Sequence, residues 1–199
     1  ATASGAARLA VQYTHDKLGR ITQKVETVLG VATTYGYSYD TAGRLVGVTQ
    51  TGASPVSYGY DANGNRLSKT AGGVTVSGAY DDQDRLTQYG ATTYAYTANG
   101  ELRSKTAGGQ TTTYQYDVLG NLRHVVLPDG RTLDYMIDAG NRRIGKKVNG
   151  TLEQGFLYQD NLKPIAELDG NNQVVSRFVY ATGVNVPDYM IKGGVTYRI

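Results

Sequence analysis

The chain is 199 residues long, with 17 Tyr, 26 Gly, 2 Phe, no Trp and no Cys, and a formal net charge of +3. That length suits one domain or two. The missing cysteines exclude disulfides and thiolate metal sites, and charges of both signs are spread along the chain without the basic block that tracks a phosphate backbone. Nucleic acid is therefore not an expected partner. Tyr, Thr and Val favour a pleated, half-buried surface, and Gly, Asn and Asp favour turns. The expectation is an all-β protein of short strands.

Residues 1–12 read as an irregular N-terminal lead without a charged and then apolar leader, and no apolar run in the chain approaches membrane-spanning length, so membrane insertion is not expected. An internal repeat follows. Its core is Tyr-x-Tyr-Asp-x-x-Gly-Arg-Leu. The clearest copies are Tyr37-Ser38-Tyr39-Asp40-Thr41-Ala42-Gly43-Arg44-Leu45 and Tyr114-Gln115-Tyr116-Asp117-Val118-Leu119-Gly120-Asn121-Leu122. A third, Tyr58-Gly59-Tyr60-Asp61-Ala62-Asn63-Gly64, reads as carrying one extra residue before Arg66-Leu67. Weaker copies start at Tyr13-Thr14-His15-Asp16, Tyr80-Asp81 (with Asp84 in the glycine position) and Tyr94-Ala95-Tyr96-Thr97. Another, Tyr135-Met136-Ile137-Asp138, leads into Gly140 and Arg143-Ile144, and Phe156-Leu157-Tyr158 opens a decayed one. The Asp position falls at 16, 40, 61, 81, 97, 117 and 138, with intervals of 24, 21, 20, 16, 20 and 21. Random polar sequence would not keep that spacing.

The chemistry of one unit predicts a β-hairpin. Tyrosines at i and i+2 share a face of a strand. The Asp ends the strand by accepting a backbone N–H two residues on, and the Gly takes a left-handed conformation that closes the hairpin. Leu then starts the return strand on the tyrosine face, with Arg opposite. Second turns appear at Gly52-Ala53-Ser54-Pro55, Ala71-Gly72-Gly73, Ala107-Gly108-Gly109, Pro128-Asp129-Gly130, Asn149-Gly150 and Asp169-Gly170-Asn171. About eight units make roughly sixteen strands, a ribbon about 75 Å wide at ~4.8 Å per strand. Sheets of that width usually curl. The expected fold is one long, curved antiparallel sheet of tandem hairpins, a spiral shell or an open barrel-like segment. The repeat array occupies 13–155, and residues 156–199 continue the same sheet as degenerate repeats, cut at 199 from a longer protein. Exposed edge strands would invite self-association.

The candidate residues read as structural: Tyr37, Tyr39, Asp40 and Gly43; Tyr58, Tyr60, Asp61 and Gly64; Tyr114, Tyr116, Asp117 and Gly120. An Asp that recurs once per turn behaves as a turn residue. A glycosidase needs only two carboxylates, so an enzyme is not expected. His15 and His124 have no partner at metal-ligand or triad spacing. Asp81-Asp82-Gln83-Asp84 lacks the Gly and distant Glu of an EF-hand loop, and the sequon Asn149-Gly150-Thr151 is first a hairpin turn. No cofactor and no metal are expected. The tyrosine stripe reads as a cross-strand ladder or, alternatively, as a platform for sugar faces in an extracellular adhesion module.

These units resemble the YD repeats of the Rhs family, over about residues 13–160. The stretches Leu162-Lys163-Pro164-Ile165-Ala166-Glu167-Leu168-Asp169, Tyr180-Ala181-Thr182-Gly183 and Tyr189 to Ile199 are similar to the end of an Rhs core. The resemblance implies a structural segment of a β-strand shell that encloses or presents a C-terminal toxin or effector domain, as in bacterial polymorphic toxins. Related shells occur in insecticidal toxin complexes and in teneurins. The implied partners are neighbouring repeats of the shell and an enclosed polypeptide, and the implied location is secreted or at the bacterial cell surface. The paired Asp-Pro-x-Gly motifs of self-cleaving Rhs cores do not occur; Pro128-Asp129 and Pro187-Asp188 have the reverse order.

Overall fold

A computed structural model describes residues 9–199. Nineteen strands and no helix make the described chain all-β, as the composition predicts, and every strand pairing is antiparallel. The chain divides into two compact units, residues 1–92 and residues 93–199.

The first unit is a meander of β1 (Leu9–His15), β2 (Ile21–Val28), β3 (Val31–Tyr39), β4 (Leu45–Gln50), β5 (Ala53–Tyr60), β6 (Arg66–Ala71), β7 (Val74–Tyr80) and β8 (Leu86–Tyr89). Each strand pairs with the next in sequence. Of the irregular lead expected over 1–12, residues 1–8 lie outside the described residues. Residues 9–12 depart from that expectation: they are the first part of β1, because Leu9 to Gln12 pair with Val28 to Val25. The expected turn over Gly52 to Pro55 is also shorter than predicted, since β5 already starts at Ala53.

The second unit opens with β9 (Thr92–Tyr96), whose first residue closes the first unit. It continues through β10 (Leu102–Ala107), β11 (Gln110–Tyr116), β12 (Leu122–Val126), β13 (Thr132–Ile137), β14 (Arg143–Val148) and β15 (Thr151–Tyr158). The tail then supplies β16 (Pro164–Asp169), β17 (Val174–Val179), β18 (Tyr189–Lys192) and β19 (Val195–Arg198). Here too, each strand pairs with its successor. The nineteen strands exceed the roughly sixteen expected because the tail hairpins form regular ladders without the tyrosine motif.

The core is shallow. Among the described residues, the buried apolar side chains are Val125 and Ala166, and the one buried polar side chain is Ser176. A meander without a covering layer leaves most of its apolar stripe half-buried. Cohesion must therefore come largely from the ladders and from polar contacts. Ser176 donates to Glu167 Oε2 at 3.0 Å, and Glu167 Oε1 accepts from Gln154 Nε2 at 2.6 Å. No buried side-chain nitrogen or oxygen of the described residues lacks a partner.

Two kinds of hairpin end recur. At one, two consecutive residues take positive φ, as in Asn149-Gly150 (49° and 80°) and Gly72-Gly73 (56° and 78°). This is the type I′ geometry that matches strand twist. Leu29-Gly30 belongs to the same class, with φ of 49° and 86°, joining Val28 to its partner Val31. Leu29 is 76% exposed, so packing does not repay its left-handed backbone. Replacing Leu29 by Asn should stabilise the chain by about 0.5–1 kcal/mol. A urea-unfolding midpoint that stays put or falls in the variant would contradict that assignment.

Candidate functional site

The other hairpin end is the repeat corner, and it gathers nearly all the motif residues. Asp40 shows its construction. Gly43 N–H donates to the Asp40 carbonyl at 3.0 Å, and Asp40 N–H donates to the Arg44 carbonyl at 3.0 Å. Gly43 takes φ of 82°. This is a type I turn closed by a left-handed residue, which forms a bulge. The bulge sets the register: Ser38 pairs with Gly47 but Tyr39 pairs with Leu45, skipping one residue. Leu45 is thereby placed opposite Tyr39, on its face.

The Asp side chain does more than end the strand. Asp40 Oδ1 accepts the Arg44 backbone N–H at 2.9 Å, and Oδ2 accepts Arg44 Nε at 2.7 Å. The same pair of bonds joins Asp16 to Arg20, Asp81 to Arg85 and Asp138 to Arg142. Asparagine fills the role at Asp61–Asn65 and Asp117–Asn121. The predicted bond to the N–H two residues on is present as well, for example at Asp16–Leu18 and Asp117–Leu119. The bond to the fourth residue went unforeseen.

Three sequence readings change at these corners. There is no extra residue in the third copy: Asn65 occupies the arginine position and Arg66 the leucine position, directly opposite Tyr60. In the copy at Asp138 the left-handed residue is Asn141 (φ 61°), not Gly140, and the partner is Arg142, not Arg143. The corner arginine does not stand on the face away from the tyrosines. Its guanidinium, held by the Asp, reaches forward over the next tyrosine.

That reach links one repeat to the following one. Arg44 Cζ lies 5.1 Å from the centroid of the Tyr60 ring, Arg44 Nη1 donates to the Asp61 carbonyl at 2.6 Å, and the Tyr60 hydroxyl donates to the Leu45 carbonyl at 2.8 Å. Arg20 stands 4.8 Å over Tyr39, whose hydroxyl donates to the Ile21 carbonyl at 2.7 Å. Arg142 stands 5.2 Å over Tyr158, whose hydroxyl donates to the Arg143 carbonyl at 3.1 Å. In the tail, Lys163 stands 5.9 Å from the Tyr180 ring, and the Tyr180 hydroxyl donates to the Pro164 carbonyl at 3.0 Å. Tyr39, Tyr60, Tyr158 and Tyr180 are thus clasps between neighbouring hairpins. The first tyrosine of each pair lies within the ladder: Tyr37 faces Val48, Tyr58 faces Lys69, and Tyr114 faces Val125.

The family model described as the teneurin YD-shell matches residues 2–199. The chain belongs to the YD-shell family. No curated protein matches the sequence. Among solved structures, the YD-shell chain is similar to TcdB2–TccC3 without its hypervariable C-terminal region, at 14% identity and a TM-score of 0.56, covering 94% of this chain and 15% of that one. It is likewise similar to TcdB2–TccC3–Cdc42, at 14% identity and a TM-score of 0.52, covering 95% and 15%. At that identity the likeness is one of fold, and the YD-shell chain spans about a seventh of their length.

The remaining candidates resolve into local contacts. His124 Nδ1 sits 2.7 Å from Asp134 Oδ1, directly across the ladder. His15 lies beside Tyr13, with ring centroids 6.3 Å apart. No group of three or more His, Asp or Glu among the described residues is placed to hold a metal ion. Among the described residues no helix is long and apolar enough to cross a membrane, which does not bear on β-barrels.

The corner hydrogen bonds hold the carboxylates below their ordinary range. For Asp40 the first cause is the Arg44 backbone N–H, then its guanidinium; for Asp16 and Asp138 the arginine side chain comes first. Asp188 is pulled down to about 2 by the Thr182 hydroxyl, then by the N–H groups of Thr182 and Ala181. A carboxylate whose folded value lies below its unfolded one stabilises the fold above the unfolded value and loses that contribution as pH falls through the folded one. Urea-unfolding midpoints should therefore drop as pH is lowered from near 3.8 towards 2. Asp40→Asn should show a shallower drop; an unchanged slope would speak against the corner carboxylates. A double-mutant cycle of Arg44→Ala and Tyr60→Leu should return a coupling of about 0.5–1 kcal/mol, the scale of a partly exposed guanidinium on an aromatic face. Strictly additive losses would remove the clasp from the account.

Proposed function

We propose that this YD-shell chain is a piece of wall: a structural segment of a β-shell that encloses or presents another polypeptide, a C-terminal toxin or effector domain, in a secreted or cell-surface protein. It is not an enzyme in this reading. The observation that supports it is the Asp–Arg–Tyr clasp. At the corners of Arg20, Arg44 and Arg142 the charged side chains are engaged in joining one repeat to the next, so the same residues recur where the wall continues. The fold-level likeness to an assembly solved without its hypervariable C-terminal region is consistent with a constant wall and a variable passenger.

The alternative, adhesion to carbohydrate, requires free aromatic faces. Tyr39, Tyr60 and Tyr158 have a guanidinium over the ring and their hydroxyls bonded to backbone. That occupancy favours the wall.

Limited proteolysis of the complete gene product tests the reading. A C-terminal region that resists protease in the intact protein, and is digested quickly once expressed alone, is the expected result. Equal digestion rates, or a gene product with no further folded domain, would overturn it.

A further inference from the structure

The residue four beyond each turn acceptor reads Arg20, Arg44, Asn65, Arg85, Glu101, Asn121 and Arg142 along the array. Glu101 inverts the charge of this position while the corner keeps its backbone. Thr97 N–H donates to the Glu101 carbonyl at 2.8 Å, Gly100 N–H donates to the Thr97 carbonyl at 3.1 Å, and Gly100 takes φ of 95°. The Thr97 hydroxyl hydrogen-bonds Glu101 Oε2 in place of the Asp–Arg pair. Where the position is cationic, as at Arg20, Arg44 and Arg142, the guanidinium lies 4.8–5.2 Å over the tyrosine ending the next hairpin's first strand. Here that tyrosine is Tyr116. Among the described residues no guanidinium or ammonium stands over its ring.

The vacated place is a cavity of about 320 Å³ lined by Thr97, Glu101, Arg103, Tyr114, Tyr116 and Asp117, among others. The Tyr116 hydroxyl is pushed up by burial first, then by Tyr114 and Glu101. Asp117 has Arg123 3.5 Å away on one oxygen. Arg103 lines the wall, but makes no ion pair with either carboxylate.

We propose that this cavity binds the guanidinium of an arginine side chain presented by a second polypeptide. The planar cation would lie on Tyr116, as the chain's own arginines lie on Tyr39, Tyr60 and Tyr158, and would donate to the Glu101 carboxylate. Arginine is the fitting cation because its flat fork stacks on a ring and pairs with a carboxylate at once. The site stands whether or not the chain encloses a passenger.

The test is a titration of the whole chain with N-acetyl-arginine amide, followed through the ring signals of Tyr114 and Tyr116 by NMR, with N-acetyl-glutamine amide as the uncharged control. Saturable shifts confined to these rings, with Kd on the order of 1–10 mM, are expected for the arginine probe alone. Thr97→Asp/Glu101→Arg rebuilds the corner found elsewhere in the array, and should fill the cavity from within and weaken binding at least about tenfold. Glu101→Gln keeps the side-chain shape and removes the charge, so it should weaken binding several-fold with the thermal midpoint little changed. Arg103→Gln removes the cation that lines the cavity and should leave binding equal or tighter. The absence of saturable shifts in the native chain, equal binding of the uncharged probe, or undiminished binding in either Glu101 variant overturns the proposal.

Discussion

The fold depends on one carboxylate doing two things at each corner built on an Asp–Arg pair. Asp40 accepts the backbone N–H and the Nε of Arg44, so a single side chain closes the turn and aims a guanidinium. Without that grip an exposed arginine would sample many rotamers, and the entropy of fixing it would cancel most of the weak attraction to a ring. Held in place, Arg44 can stack on Tyr60 and bond the Asp61 carbonyl. The energy of each contact is modest; its recurrence is what matters.

This explains how a sheet with so little interior holds together. The buried side chains, Val125, Ala166 and Ser176, all belong to the second unit. A repeat array of this kind adds its stability unit by unit, through contacts between neighbours. Here the neighbour term has a polar share, the guanidinium on the ring and the hydroxyl on the carbonyl, alongside the ladder bonds. Such an arrangement suits a wall, which must extend without needing a second layer at each step. It also makes the array sensitive to acid, since the gripping groups are carboxylates.

The tyrosine pair and the Asp–Gly spacing were legible because they follow strand period and turn chemistry, both local. The misreadings were local too. At Asp61 and Asp138 the visible Gly and Arg letters suggested the wrong alignment, whereas counting four residues from the Asp finds Asn65 and Arg142. Asparagine satisfies the same acceptor as arginine, so the chemical role survived while the letter changed. Leu29 escaped notice as a turn residue because nothing about leucine announces a left-handed backbone; the Gly30 beside it was the available signal.

What the sequence alone determined is the hairpin and its repetition: strand alternation, a turn residue at the Asp, a left-handed residue three later, all set within about ten residues. What only the tertiary structure decided is what each corner reaches. Tyr60 bonding Leu45, Arg66 standing 5.9 Å over Tyr58 and 5.1 Å over Tyr89, and His124 meeting Asp134 all join residues on different strands, eight or more apart in the chain. Such meetings depend on strand register, and each bulge shifts the register by one residue. One residue is also the step that turns a side chain to the other face, so composition and spacing cannot fix these contacts until the ladders are in place.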